Sequence, residues 1–266
     1  MGKKKTKKNQ KRKREIKGLP PKDKFLGTVV DHKSGQIRVY SNDMLVKRVT
    51  RESKIAAKSF NRLCKNEITQ MNNAFSTSVY IIGNGFKRAV DAEDDICVEC
   101  GKLLMNACNT IQASFEILRA GYILQPGMLL RSVIETFSVI SYVITVSTGY
   151  QQLIDGEIDG NKTIKYGKKV IPTLGKLHGL LSNNFVHTSK LHSDFNIILE
   201  YKEMTEPLRI NLDMIKAAIW HIEVISELVY FHYFEGHEYW KRLGENQYAF
   251  DLTPRTRKKI NEFFGV

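Results

Sequence analysis

The residues of this chain that could take part in chemistry collect at two places. The first is the pair Arg131 and Glu135, four apart in the segment LLRSVIETFSVISYVI. The second is the cluster Ser182, Asn183, Asn184 and His187 in LSNNFVHTSKLH. A guanidinium and a carboxylate one helical turn apart have two readings. As a structural ion pair they fix the register of a helix. As a functional pair, the guanidinium grips an anion and the carboxylate orients a group that moves a proton. Histidine is the side chain whose ordinary pKa suits that transfer near neutral pH, and His187 stacks on Asn183 at i, i+4 if the helix there continues. The candidate catalytic set is therefore Arg131, Glu135, Asn184 and His187.

Three other patterns carry less. Cys97 and Cys100 form a C-x-x-C, but a structural zinc site needs a second pair of thiolate or imidazole ligands, and the remaining cysteines, Cys64 and Cys108, supply no second C-x-x-C. Buried reduced thiols are expected, with no metal and no cofactor. His221 and His232 share a helix face without an aspartate or cysteine in register, which predicts hydrogen-bonded core or rim residues. Gly83-Asn84-Gly85 lacks the third glycine of a dinucleotide fingerprint and the Lys-Ser/Thr of a phosphate loop, and reads as a turn.

Charge is unevenly distributed. The net +13 falls mostly on residues 1–18, where Lys3, Lys4, Lys5, Lys7, Lys8, Lys11, Arg12, Lys13, Arg14 and Lys17 face a single acid, Glu15. That arm contributes +9, leaving only +4 for all the rest. With almost no apolar content it cannot repay the entropy of ordering, so it reads as disordered when free. Ten cations on a flexible tether displace counterions from a phosphate backbone without needing a fold, which points to nucleic acid as a partner. A solubility tail is the plainer reading. No acylation signal or amphipathic face accompanies the arm, so no membrane partner is expected.

The elements that must position these groups are helical. Four cysteines and the lack of an apolar leader predict a reducing, cytoplasmic setting. Residues 128–146 are apolar nearly all round, which predicts a buried helix over 126–148. At about 100° per residue, Arg131, Glu135, Ser138, Tyr142 and Thr145 fall within roughly 40° of one line on it. Such a stripe on a core helix requires polar partners from elsewhere. Other helices are expected over 43–72, 94–122, 172–184 and 212–234, with a basic C-terminal helix started by Thr253-Pro254 and a surface loop over 149–161. Between Phe25 and Tyr40, two β-branched runs flank an Asp/Ser/Gly turn, a hairpin signal. The fold class is thus mainly all-α: a helical bundle over 43–266, a small N-terminal β-hairpin or linker over 19–42, and the arm over 1–18.

The Arg131/Glu135 helix, followed some fifty residues later by LSNNFVHTS, resembles bacterial helical families with an LLRS-x-x-E helix and an S-x-x-x-x-H helix end, grouped with HEPN-type domains. The resemblance covers about residues 94–191. It implies a helical bundle, commonly a homodimer, of the kind found in toxins, defence systems and RNA-processing proteins, with several relatives acting as metal-independent ribonucleases. In that setting His187 is the acid or base, and Arg131 stabilises the phosphate. Catalytic members of that grouping place Arg four to six residues before His, and no histidine here has that spacing. Either Arg131 supplies the cation from another helix, or the domain is an inactive or differently used relative. The alternative function is a non-catalytic adaptor or structural subunit that binds a partner protein.

Overall fold

The computed structural model describes residues 20–31, 36–187, 192, 197–244 and 247–265. The ten arm cations, Lys3 to Lys17, lie outside the described residues. The chain divides into two compact units, one ending at Glu52 and the other beginning at Ser53.

In the first unit, β1 (Phe25–Asp31) and β2 (Gln36–Ser41) pair antiparallel, with Thr28 opposite Val39 and a register irregularity between Phe25 and Gly27. This is the hairpin expected from the β-branched runs. A single turn, α1 (Met44–Lys47), then widens into a π-helical turn over Arg48–Glu52. The single helix expected over 43–72 is therefore broken. Val49 and Thr50 are both β-branched, and the Thr50 hydroxyl donates to the Val46 carbonyl at 2.7 Å, competing with the regular backbone ladder.

The second unit is a helical bundle. Its elements are α2 (Ser53–Leu63), α3 (Lys65–Asp91), α4 (Asp95–Arg119), α5 (Gln125–Thr145), α6 (Gly149–Ile154), α7 (Gly160–Val170), α8 (Pro172–Leu181) and α9 (Glu206–Val229). Capping explains several starts. Asp94 accepts the Cys97 N–H at 3.0 Å, and Asp159 accepts the Asn161 N–H at 2.8 Å. A second hairpin, β3 (Trp240–Gly244) with β4 (Gln247–Phe250), and α10 (Pro254–Phe264) complete the unit. As expected, Thr253 caps α10, its hydroxyl accepting the Thr256 N–H at 3.1 Å. The second hairpin was not anticipated. Its entry is held by Glu227, whose half-buried carboxylate accepts the backbone N–H groups of Glu238, Tyr239 and Trp240 at 2.9–3.0 Å.

Two expectations about breaks are corrected. Gly83-Asn84-Gly85 is not a turn but lies inside α3. A Cβ on Gly85 would sit 2.3 Å from the Tyr230 ring, so the glycine is there to let α3 close on the chain at the end of α9. The stretch 149–161 is not all loop, because α6 occupies its first half and packs back on α5. Helix α5 is central, touching α4, α6, α7, α8 and α9. By length and composition it could cross a membrane, but most of it is buried by these neighbours.

Candidate functional site

Pro126 stands in the first turn of α5, where a missing N–H costs nothing. Gly127 follows, and a Cβ there would lie 2.2 Å from the Phe185 ring. That contact seats the π-helical turn Ser182–Val186, which continues from α8, on the first turn of α5. Buried Phe185 is thus the anchor that carries half-buried Asn184 and exposed His187 to the Arg131 end of the helix. The expected helix over 172–184 loosens at Ser182, where the turn ends with the His187 N–H donating to the Ser182 carbonyl at 3.0 Å. Because the α-helix stops there, Asn183 and His187 are not stacked one regular turn apart.

Arg131 Nε donates to Glu135 Oε1 at 3.0 Å, as the i, i+4 spacing suggested. The same carboxylate oxygen lies 3.6 Å from His178 Nε2, an ion-pair separation rather than a tight hydrogen bond. His178 reaches it from α8, so Glu135 is shared by a guanidinium and an imidazole on two helices. The pair is not fully buried, contrary to the expectation for a core helix. The side chains of Arg131, Glu135 and His178 are 28%, 43% and 19% exposed. Burial, followed by the Arg131 charge, lowers the His178 pKa against the opposing pull of Glu135. His178 is therefore mostly neutral near pH 7, with a ring nitrogen able to accept a proton. Only Nε of Arg131 makes a hydrogen bond among the described residues, and the terminal nitrogens at the end of its fork make none.

The rest of the polar stripe is satisfied differently. Ser138 is covered by α7, where Gly167 comes so close that a Cβ would fall 2.7 Å from the Ser138 hydroxyl oxygen. The Tyr142 hydroxyl meets Gln152 Oε1 of α6 at 3.0 Å, and the Lys162 ammonium lies 5.1 Å above its ring. Thr145 donates to the Ser141 carbonyl. Other elements thus supply polar partners at Tyr142 and Glu135, whereas Ser138 and Thr145 donate to carbonyls of α5 itself, and at Arg131 and Glu135 the stripe runs out to solvent.

Of the four sequence-chosen catalytic candidates, Arg131 and Glu135 are in direct contact. No hydrogen bond or ion pair joins the side chains of Asn184 or His187 to either of them among the described residues. His178 was missed. It is the polar member of an otherwise apolar face formed by Leu174, Leu177 and Leu181, which is a signal visible in sequence, but nothing local ties residue 178 to residue 135.

The cysteines are buried thiols. Cys97 Sγ donates to the Val229 carbonyl, and burial pushes Cys64 up to about 12, Cys108 up to about 11, and Cys97 and Cys100 well upward. His221 is a core residue. Its Nδ1 donates to the Ala217 carbonyl at 2.7 Å, so Nε2 accepts from the Thr173 hydroxyl at 2.9 Å. His232 Nε2 pairs with the Tyr248 hydroxyl at 2.7 Å. Comparison of the chain with models of known families, with curated proteins and with solved structures finds no match in any of the three.

Proposed function

We propose that this chain engages RNA as a HEPN-like helical protein of a toxin or defence system, and that Arg131, Glu135 and His178 form the core of a metal-independent ribonuclease site. The observation that carries this reading is the shared Glu135 carboxylate, 3.0 Å from Arg131 Nε and 3.6 Å from His178 Nε2, at a place solvent reaches. The missing Arg-to-His spacing within one helix is replaced by an arginine on α5 and a histidine on α8.

In such a site neutral His178 takes the proton from a ribose 2′-hydroxyl as its oxygen bonds to the adjacent phosphorus. The terminal nitrogens of Arg131 hold the phosphoryl oxygens as negative charge builds on them. The bond from phosphorus to the 5′-oxygen then breaks, and that oxygen needs a proton. His187, carried to the same end of α5 by the Phe185 anchor, is the donor we assign. Glu135 stabilises the imidazolium formed on His178. The arm over 1–18 supplies nonspecific attachment to the polyanion.

The test is cleavage of single-stranded RNA by purified protein in excess chelator. His178→Ala and His187→Ala should each reduce the rate by about a hundredfold or more, because positioned proton transfer contributes that much. Arg131→Lys should also fail, since lysine keeps the charge and loses the planar fork. Absence of cleavage with every RNA tried would leave the adaptor reading, in which Arg131 and Glu135 are a helix-surface ion pair. Retained activity in His178→Ala would remove the site assignment while keeping the enzyme.

A further inference from the structure

At the other end of α5 lies a cavity of about 560 Å³, within the size range of small-molecule sites. Asp94, Cys97, Thr145, Tyr150, His232 and Tyr248 line it, and no lysine or arginine does so among the described residues. Two helices end here. Residues 143–147 bring the C-terminal turn of α5, and Leu228 and Val229 bring that of α9. A C-terminal turn presents carbonyls without intrahelical partners and carries about half a negative charge. The opposing positive end, the start of α4, is already capped by the Asp94 side chain.

Asp94 is ionised. Burial alone would raise its pKa, but hydrogen bonds from Cys97 and from the Tyr233 hydroxyl outweigh that and hold it below the usual aspartate value. Lys102 and Glu99 neutralise each other, which leaves Asp95 as the further negative charge on the Tyr150 side, while Arg242 acts on Tyr248 without lining the cavity. A carboxylate and two helix C-termini therefore face a space walled by aromatic rings, an environment that rejects anions and favours a cation with an apolar body.

We propose that this cavity binds a small organic ammonium ion, its nitrogen received by Asp94 and the carbonyl end of α5, and its alkyl part by the rings of Tyr150 and Tyr248. The site is independent of the Arg131 cluster and of any ribonuclease activity.

Calorimetric titration of the full chain with hexylammonium, hexan-1-ol and hexanoate tests it, because the three share a chain length and differ in the head group. Hexylammonium should bind one to one and at least tenfold more tightly than hexanol, with hexanoate weakest. Asp94→Asn keeps an oxygen to cap the Cys97 N–H and removes the charge, and it should weaken hexylammonium at least tenfold. Tyr150→Leu leaves the α4 cap untouched and should weaken it several-fold, which keeps the test decisive if Asp94→Asn does not fold. Equal affinity for amine and alcohol, preference for hexanoate, no binding of any of the three, or unchanged amine binding in Tyr150→Leu and in a folded Asp94→Asn would each overturn the proposal.

Discussion

Replacing Gly83 and Gly85 by alanine, one at a time, is expected to move stability in opposite directions, although the substitutions are identical and lie two residues apart on α3. Gly83 is exposed, and a Cβ there meets nothing within 4 Å. Alanine should therefore gain the helix-interior difference between the two residues, about 0.8–1 kcal/mol. At Gly85 the same gain is opposed by overlap, since the new Cβ would be 2.3 Å from Tyr230 Cγ. Carbon atoms rest at about 3.5–4.0 Å, so the ring would have to retreat by more than about 1 Å. It has no room, because its hydroxyl end abuts Gly101 of α4, where a Cβ would be 2.3 Å from that oxygen, and Tyr230 is fully buried. Overpacking of this kind costs about 1–3 kcal/mol, and the blocked retreat places Gly85→Ala near the upper end, for a net loss of about 2 kcal/mol. For a unit of this size, thermal unfolding should show Gly83→Ala raised by about 2–4 °C and Gly85→Ala lowered by about 4–8 °C. Two equal increases would mean that the approach of α3 to Tyr230 is absent. Two decreases would restore the turn that the sequence suggests.

The Arg131–Glu135 pair should behave as a surface contact. Arg131→Met and Glu135→Gln are each expected to change stability in urea by less than about 1 kcal/mol, and losses of about 3–5 kcal/mol would show that the pair is buried. Burial lowers the His221 pKa to about 4, so the folded chain holds this ring neutral while the unfolded chain protonates it near its ordinary value. Stability from this group is complete above about pH 6.5 and is lost as pH falls towards 4, by up to about 3 kcal/mol. Denaturant titrations across that range should show the slope in the wild type and a flatter profile in His221→Gln. Deleting residues 1–18 should weaken RNA binding more than tenfold at low salt and reduce the logarithmic salt dependence by several units, at about 0.7 per phosphate on single strands. An unchanged slope would place the binding surface on the helical body.

Much of the architecture is local and therefore legible in residue order. The hairpin from Phe25 follows from two β-branched runs around a turn, and α5 follows from a segment apolar on nearly every side. The start of α10 follows from Thr253-Pro254, because a cap and a proline act on their own turn. The hydrogen bond from Arg131 to Glu135 is equally local, being set by one turn of one helix. What sequence could not decide depends on contacts between distant segments. Glycine reads as a breaker until a partner ring is known to need its missing Cβ, so Gly85 reads as part of a turn whereas Tyr230, far along the chain, makes it an interior helix residue. The all-round apolarity of α5 implied burial of its charges, yet how far its neighbours extend over each end decides that. Alpha7 covers Ser138, whereas Arg131 and Glu135 are left at the rim. His178 shows the same limit from the other side. Its spacing from any arginine carries no signal, and it becomes a candidate because the packing of α8 on α5, fixed in part by Phe185 against Gly127, brings its ring to a carboxylate already holding an arginine.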